Sequence, residues 1–417
     1  MGFQQGLSGL NASSKSLDVI GNNIANANTV GAKAARAEFA DVYANALGGS
    51  NAVGIGVGVA AVAQQFSQGT ITTTDNPLDV AINGNGFFEV SQAGTVSYTR
   101  NGQFKLDNNG FIVNNQQQQL MGYPADATGA IIAGAAGPLQ MPTGGIAPAV
   151  TTKIGTEMNL DARAAVTLPA AGAPIDFADP STYNNATSQT VYDAKGANVT
   201  LTYYFQKAAA DTWNVYVAAN GTPITTAGGN PAASTTITFP PGGGAPTAPV
   251  GTVSIDIPSV ANAVGALTVP ITGIALDVSK TTEYGSAFGV TSLTQDGYAA
   301  GQLVGAEIGD DGIINATYSN GQTKAAGQIE LASFRNPQGL VPLGGNGWAP
   351  SAASGAPLVG VAGAANFGVL QSGAVEDSNV DLTAELVNMI TAQRVYQANA
   401  QTIKTEDQIL QTIVNLR

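Results

Sequence analysis

Two pairs of adjacent acidic residues are the side chains of this sequence that could carry acid–base chemistry. They are Asp310-Asp311 and Glu376-Asp377. Two carboxyl groups that share a hydrolytic reaction must lie across a cleft, and they usually come from distant positions in a chain. Adjacent acids more often form a turn or the N-terminus of a helix. We therefore predict these structural roles for both pairs, and no catalytic residues.

Two further segments match ligand-binding loops only in part. The run Asp107-Asn108-Asn109-Gly110 lacks the alternating ligands and the final glutamate of a calcium loop. The glycine-rich residues 54–59 lack both the spacing of a dinucleotide-binding loop and the lysine of a phosphate loop. The first segment is predicted to be a hairpin turn and the second a strand, so we expect no metal site and no cofactor.

The composition excludes several other classes of function. The 417 residues contain no cysteine and no histidine, which removes thiolate nucleophiles, imidazole bases and the usual zinc ligands. The net charge of −13 is a poor match to nucleic-acid phosphates. There is no apolar run of about 18 residues, so no membrane-spanning helix is predicted. The N-terminal residues also lack the basic and apolar regions of a cleaved secretory signal.

The low content of charged residues suggests a surface that meets copies of itself. Charged residues make up 10% of the chain, against about 25% in an average soluble protein. Small and amide side chains must therefore cover much of the surface. Lys33 and Arg36 are clustered basic residues near the N-terminus. For these two, an acidic partner on a neighbouring copy and a solvated turn are equally good interpretations.

Both ends of the chain carry apolar residues at the seven-residue spacing of a coiled coil. The N-terminal series is Phe3, Leu10, Leu17 and Ile24, and its helix should stop within residues 26–31, where Asn and Gly favour a C-terminal cap. The C-terminal series is Leu382, Met389, Tyr396, Ile403 and Leu410, with Leu386, Ala400 and Val414 between its members.

The C-terminal helix is predicted to be long, since no Gly or Pro occurs from 374 to 417. Ser378, Asn379 or Asp381 can cap its start. About 38 helical residues would span roughly 57 Å. We predict that the two apolar stripes pair with each other, and that their uncovered parts contact neighbouring copies. In the free subunit both ends are expected to be disordered and to fold on assembly.

The residues between the two helices have the pattern of β-hairpins, with turn pairs such as Asn83-Gly84 and Asn101-Gly102. Residues 124–150 and 221–250 are rich in Pro, Gly, Ala and Thr and are predicted to be linkers and long loops. The predicted fold class is mixed α and β and multidomain, with a terminal α-helical coiled coil and two nested all-β domains. The predicted boundaries are 1–70 with 359–417 for the helical domain, 71–144 with 285–358 for the inner β domain, and 145–284 for the outer inserted β domain.

Five blocks of the sequence resemble the family of bacterial flagellar rod, hook and hook-associated axial proteins. They stand in the order found in that family, and Ala32 occupies a position that is usually aromatic. The blocks are SGLNASSKSLDVIGNNIANANTVGAKA (8–34), NPLDVAINGNGFFEV (76–90), SYTRNGQFKLDNNGFIVN (97–114), FRNPQGLVPLGGNGW (334–348) and GAVEDSNVDLTAELVNMITAQRVYQANAQTIKTEDQILQTIVNLR (373–417).

This resemblance implies a tube with paired helices at its inner wall and β domains outside them. The inserted segment 145–284 favours the hook members of the family, which form a curved tube that transmits torque as a universal joint. The alternatives are a distal rod subunit and, from another class, a secreted β-rich adhesin or surface hydrolase. The implied partners are further copies of the chain, the distal rod protein, the hook cap protein and the hook–filament junction protein. Implied export is through the flagellar type III apparatus, without a cleaved signal.

Overall fold

The computed structural model describes residues 2–42, 54, 56–167, 175–262 and 265–415. The chain forms two compact units. Unit 1 comprises Met1–Thr143, Val304–Thr317 and Thr323–Arg417, and unit 2 comprises Gly144–Leu303 and Tyr318–Gln322. Helices lie at both ends and β-sheets between them, which confirms the predicted fold class.

The terminal helices are α1 (Gly2–Ala25) and α2 (Leu382–Asn415). α1 ends just before the segment in which the sequence predicted a stop. α2 has 34 residues, against about 38 predicted, and Ala374–Glu376, before its start, form a strand. Of the three proposed capping residues, Asp381 fills the role. Its Oδ1 accepts hydrogen bonds from the backbone N–H groups of Thr383 at 2.9 Å and Ala384 at 3.1 Å.

Short strands follow α1 as far as the start of unit 2. Two of the sequence predictions are confirmed in this segment. The loop at Asp107 is a hairpin turn, in which Gly110 N–H donates to Asp107 O at 3.0 Å, and the described part of the glycine-rich segment enters a strand, although Ile55 lies outside the described residues. The strands are β1 (Ala35–Val42), β2 (Gly56–Gln64), β3 (Ile71–Thr73), β4 (Val80–Asn83), β5 (Phe87–Gln92), β6 (Thr95–Thr99), β7 (Lys105–Leu106), β8 (Ile112–Val113), β9 (Gln119–Pro124) and β10 (Gly137–Pro138).

Unit 2 contains two five-stranded sheets that share one hydrophobic core. Trp213, Leu201 and Ile274 are fully buried in this core, and a short 3₁₀ helix covers Pro180–Thr182. The strands are β11 (Lys153–Asp161), β12 (Asn185–Tyr192), β13 (Asn198–Ala209), β14 (Thr212–Ala219), β15 (Thr222–Pro223), β16 (Thr226–Ala227), β17 (Asn230–Pro231), β18 (Thr235–Thr238), β19 (Thr252–Ile257), β20 (Ile271–Asp277), β21 (Thr282–Tyr284) and β22 (Gly289–Gln295).

The chain enters and leaves unit 2 along two adjacent segments. Isolated antiparallel bridges join Ile146 to Gly301 and Ala149 to Tyr298. The sequence placed the end of this domain at residue 284. The structure extends it to 303, because β22 pairs with β11, with Ile154 opposite Gln295.

The last strands return to unit 1. A twelve-stranded sheet has the order β23-β24-β25-β9-β5-β6-β27-β26 along its main path, and a second 3₁₀ helix covers Pro337–Gly339. The separation of this unit into a helical domain and an inner β domain stays a prediction. The strands are β23 (Leu303–Ile308), β24 (Ile313–Tyr318), β25 (Thr323–Ser333), β26 (Val341–Gly344), β27 (Gly347–Ala349), β28 (Leu358–Val361), β29 (Val369–Ser372) and β30 (Ala374–Glu376).

An aromatic cluster ties the segment after β2 to the sheet of unit 1. Phe66 meets Phe87 and Trp348 edge to face, with ring centroids 5.5 and 5.4 Å apart. Phe87 also contacts Phe334 at 5.9 Å. Each edge-to-face pair at these distances stabilises the fold by about 0.5–1.5 kcal/mol beyond the contribution from burying the rings. This cluster fixes the chain between the strand pair β1–β2 and the sheet.

Two buried carboxyl groups lie side by side in the same sheet. Leu331 pairs with Phe88, which makes Glu330 and Glu89 cross-strand neighbours. Burial, and secondarily the charge of Glu330, raise the pKa of Glu89 above its usual range. Tyr123 donates a hydrogen bond to Glu330 Oε1 at 2.8 Å. Burial is the main reason that the pKa of Tyr123 rises to about 12.

We predict that Glu89→Gln stabilises unit 1 at neutral pH by about 0.2–1 kcal/mol, the range for one cross-strand pair. The wild-type unit should lose stability as pH rises from the usual carboxyl pKa through the raised pKa of Glu89, because the folded state holds this proton more tightly than the unfolded state does. Thermal unfolding followed across pH measures both effects. Glu307→Gln, at an exposed position, is the control, and a less stable Glu89→Gln variant at pH 7 would contradict the prediction.

Candidate assembly surface

α1 and α2 pack against each other in antiparallel directions. Asn23 Nδ2 donates to Glu385 Oε1 at 3.1 Å, and Asn399 Nδ2 donates to Ser13 Oγ at 3.5 Å. Residue numbers therefore fall along α2 as they rise along α1.

Glycines allow the two helix backbones to approach closely. A Cβ atom added to Gly6 would lie 2.9 Å from Cγ1 of Ile403, and one added to Gly9 would lie 2.8 Å from the side-chain amide of Asn399. Real Cβ atoms essentially never make such short contacts, so a larger residue would push the helices apart or displace these side chains. At Gly21, by contrast, an added Cβ meets nothing within 4 Å.

The face of α2 that packs on α1 differs from the predicted seam. Its half-buried residues are Glu385, Ala392, Asn399 and Glu406, which are seven apart, together with Met389, Ala400 and Ile403. Of the residues in the predicted C-terminal series, Met389, Ala400 and Ile403 are therefore half-buried. Leu10, Leu17 and Ile24 of α1 are also half-buried.

The other predicted assembly residues remain exposed in the single chain. They are spread over both helices, and all except Tyr396 lie toward the helix ends. Their exposed fractions are 47% for Phe3, 44% for Leu382, 46% for Leu386, 37% for Tyr396, 53% for Leu410 and 73% for Val414. Leu7 and Ile390 are exposed to a similar extent. Apolar helix faces therefore stay uncovered after the two helices have paired.

Sequence reasoning missed the small and polar residues that make the helix contact. Heptad analysis looks for large apolar side chains, so it passed over Gly6, Gly9 and Ser13, which lie on one face of α1. The seven-residue spacing of Glu385, Ala392 and Asn399 was present in the sequence, but their mixed chemistry concealed it.

Asn23 fixes the point at which the chain leaves the helix pair. Its side chain accepts from Ala35 N–H and donates to Ala35 O, both at 2.8 Å. The same Nδ2 donates to Glu385. One amide thus joins α1, the start of β1 and the first turn of α2.

Glu376 is the centre of a buried ionic cluster, which we call the Glu376 cluster. Its Oε1 lies 2.6 Å from Lys33 Nζ, and its Oε2 lies 3.1 Å from Arg100 Nη1. Oε1 also accepts from Gly69 N–H at 2.9 Å. Lys33 donates further to Ser67 O at 2.7 Å. The three charged side chains are almost completely buried.

The cluster corrects two sequence interpretations. Glu376 was predicted to lie in a turn or at a helix N-terminus, yet it belongs to β30 and is wholly buried. Lys33 was assigned to a neighbouring copy or to a solvated turn, yet its partner is Glu376 in the same chain. The prediction for Asp311 is confirmed, since it lies in a turn. Arg36 was given the same two interpretations as Lys33, yet it is an exposed residue of β1 whose partner is Glu38 in the same strand.

Burial dominates the electrostatics of this cluster. It lowers the pKa of Lys33, and the attraction of Glu376 opposes that shift. Burial likewise lowers the pKa of Arg100 against the same attraction. Two cations therefore depend on one carboxylate in a region closed to water. Such a site can hold segments together but offers no access to a substrate.

A groove of about 720 Å³ runs between α1, α2 and the β1–β2 pair. Small residues such as Gly9, Ala12 and Ala392 line it. Within the described part of the chain, Gln65 Nε2 and Glu385 Oε2 are buried in its lining without a hydrogen-bond partner. This is a second surface of the helix pair that the described residues leave unfilled.

The described residues provide no evident site for a metal ion, because they contain no suitable group of three or more acidic side chains. In the same part of the chain, neither helix is long and apolar enough to cross a membrane.

Family models match four segments of the chain. They are described as flagella basal body rod protein (residues 3–33), flagellar hook protein FlgE/F/G D1 domain (81–170), flagellar basal body protein FlaE D2 domain (159–298) and flagellar basal body rod FlgEFG protein C-terminal (371–416). The first segment contains all of α1 except Gly2, and the last contains all of α2.

Curated relatives match the chain over its whole length. The flagellar hook protein FlgE of Salmonella typhimurium is 44% identical over 420 residues, covering all of both chains. The protein of the same name from Escherichia coli K12 is 43% identical over 422 residues, again covering both completely. A crystal structure of the Helicobacter pylori flagellar hook protein FlgE2 has a TM-score of 0.51 at 15% identity, covers 72% of this chain and 99% of that one, and shows a shared fold.

We predict that Glu376→Gln lowers the free energy of unfolding of unit 1 by about 3–5 kcal/mol, because Lys33 and Arg100 would stay buried without an anion. Glu38→Gln is the matched control. It removes an exposed ion pair and should cost less than about 1 kcal/mol. Urea unfolding measures both values. A Glu376→Gln variant as stable as the control would show that the cluster does not hold unit 1 together.

Proposed function

The chain belongs to the family of bacterial flagellar hook proteins, and from this we propose that the uncovered faces of its terminal helices join its copies into the tube of the hook. Membership of the family makes the protein a structural subunit of the flagellar hook. What we propose is the way in which the copies bind each other and which surfaces they use.

The exposed apolar faces of α1 and α2 are the observation that carries this proposal. Phe3, Leu386, Leu410 and Val414 face solvent in the single chain, and each square ångström of apolar surface removed from water contributes about 25 cal/mol. A contact that repeats without closing into a ring generates a helical filament. Neighbouring copies would therefore cover these faces and build a tube around the helices.

The weakly charged composition supports a tube that bends. Contacts between apolar side chains are non-directional, so neighbouring subunits that meet through them can shift against each other without separating. We propose that this property lets the hook act as a universal joint that passes torque from rod to filament. Acidic and basic side chains together make up only 10% of the sequence, so few ion pairs are available to fix one arrangement.

The proposed partners beyond the chain itself are the distal rod protein, the hook cap protein and the hook–filament junction protein. We propose that the chain is exported through the flagellar type III apparatus and that its N-terminal residues are not cleaved off. The position of α1 supports retention, because residues from Gly6 to Asn23 contact α2, and cleavage would remove half of the helix pair.

We propose that the subunit has no catalytic role. Asp310 and Asp311 are the two central residues of a turn between strands, in which Gly312 N–H donates to Gly309 O at 3.0 Å. Glu376 is saturated by two cations and a backbone N–H group. Each of the acidic pairs found in the sequence therefore has a structural explanation.

Substitution of one helix glycine tests the proposed assembly. We expect Gly9→Leu to cost about 1–3 kcal/mol by forcing the helices apart, which raises the critical concentration for filament formation roughly 10- to 100-fold. Gly21→Leu is the matched control and should assemble like the wild type. Electron microscopy and sedimentation of the purified chain provide the measurement. A wild-type chain that forms no filament, or a Gly9→Leu variant that assembles normally, would contradict the proposal.

Hydrogen exchange tests whether assembly orders the helices. In the free subunit the amides of 2–25 and 382–415 should exchange about 100-fold or more faster than those in the core strands of unit 2, because isolated helices with uncovered apolar faces are marginal. In filaments both helices should become protected. Equal protection of helices and core strands in the free subunit would refute coupled folding.

A further inference from the structure

The sequence contains seven Asn-Gly pairs, at which a spontaneous reaction of the backbone can start. The backbone nitrogen of the glycine can attack the side-chain carbonyl carbon of the asparagine, because glycine has no side chain to hinder the approach. The attack requires an asparagine side chain that is free to rotate and a glycine N–H that is not held in a hydrogen bond. The pairs begin at Asn83, Asn85, Asn101, Asn109, Asn220, Asn320 and Asn346.

The pair Asn85-Gly86 is unrestrained at both of these groups. It lies in the bend between β4 and β5, and Asn85 is exposed. Among the described residues, the Asn85 side chain has no hydrogen-bond partner, and the N–H of Gly86 donates to no acceptor. The two reacting groups can therefore meet without first breaking a hydrogen bond.

In three of the other pairs the N–H of the glycine is held by an acceptor. A nitrogen that donates a hydrogen bond must give it up before it can attack, and this raises the barrier. The three bonds are Gly84 N–H to Gln68 Oε1 at 3.0 Å, Gly110 N–H to Asp107 O at 3.0 Å and Gly321 N–H to Tyr318 O at 2.9 Å.

In the remaining three pairs the asparagine side chain is held instead. Rotation of such a side chain toward the next nitrogen breaks its hydrogen bond and is correspondingly slower. The three bonds are Gln103 N–H to Asn101 Oδ1 at 2.9 Å, Asn220 Nδ2 to Ala261 O at 3.0 Å and Asn346 Nδ2 to Val30 O at 2.9 Å.

We propose that Asn85 is the residue at which the folded chain first undergoes spontaneous deamidation. The Gly86 nitrogen bonds to Cγ of Asn85, the bond from Cγ to Nδ2 breaks, and the proton of the Gly86 N–H passes through water to Nδ2, which leaves as ammonia. The product is a succinimide ring. Water then adds to either ring carbonyl and opens the ring, which gives aspartate or isoaspartate. In isoaspartate the backbone runs through the side-chain carbon and is one atom longer.

The isoaspartate product would disturb a close backbone crossing. Asn85 O accepts from Gly368 N–H at 2.7 Å, and a Cβ atom added to Gly84 would lie 2.9 Å from Cα of Gly368. This spacing leaves no room for an additional backbone atom. Arg100 Nη2 donates to Gly84 O at 2.9 Å, so the same bend supports one of the cations of the Glu376 cluster. We therefore expect isoaspartate at position 85 to destabilise unit 1.

Peptide mapping by mass spectrometry tests the assignment, with the other Asn-Gly pairs as internal controls. The full-length chain is incubated at mildly alkaline pH, once folded and once in guanidinium chloride, and the rate in the denatured chain normalises each pair for its neighbouring sequence. In the folded chain the normalised rate at Asn85 should exceed that at every other pair by about fivefold or more, the factor that corresponds to breaking one hydrogen bond.

The structural consequence is tested on variants incubated in the same way. The incubated wild-type chain should unfold at a lower guanidinium concentration than the fresh chain, whereas Asn85→Gln should keep its midpoint, because glutamine forms the corresponding larger ring far more slowly. Asn109→Gln is the matched control. It removes an exposed Asn-Gly pair whose glycine N–H is held, and it should lose stability as the wild type does.

Two results would overturn the inference. A normalised rate at Asn85 no higher than that at another pair would show that the free groups of this bend do not direct the reaction. An incubated Asn85→Gln variant that loses as much stability as the wild type would show that the modification does not disturb unit 1. Both measurements use the unassembled chain, so neither result bears on the proposed assembly into filaments.

Discussion

A single buried carboxylate holds the terminal segments of this chain in place. Glu376 binds Lys33, which follows α1, and Arg100, which directly follows β6. It also accepts from the backbone of Gly69, in the segment after β2. Since α2 begins six residues after Glu376, the cluster sets where that helix starts relative to the sheet. Nearby, Asn379 accepts from Ala34 N–H at 2.7 Å and donates to Gln65 O at 2.8 Å.

The helix pair is fixed to the strand β1 by hydrogen bonds at one end, and part of its apolar surface is exposed. At one end Asn23 and Glu385 tie it to β1, while along its length Gly6 and Gly9 bring the backbones close together. Because the contact uses glycine, serine and asparagine, several large apolar side chains, such as Leu386 and Leu410, are left exposed. A monomeric soluble protein rarely leaves such apolar surface exposed to water. In a family whose members build a tube, this arrangement leaves that surface available to other copies.

The sequence was sufficient to predict features that depend on local periodicity. The seven-residue spacing predicted α1 and α2, the Asp107 loop predicted a hairpin turn, and the order of these elements predicted the nested β domains. Features that depend on distant residues were not predictable. Lys33 and Glu376 are 343 positions apart in the chain, and no pattern in either neighbourhood indicates the other. Likewise, the end of unit 2 was placed too early because the pairing of β22 with β11 joins segments more than a hundred residues apart.

The chain enters and leaves unit 2 through two adjacent segments, residues 146–149 and 298–301, which we call the stem. The stem has a consequence for how such proteins diversify. Both strands of the stem are joined by backbone bridges, Ile146 to Gly301 and Ala149 to Tyr298, and these need no particular side chains. Evolution can thus exchange, enlarge or trim whatever lies between the two strands while the scaffold near the chain termini keeps its residues. The same pair of segments offers protein engineers a natural insertion point for a foreign domain.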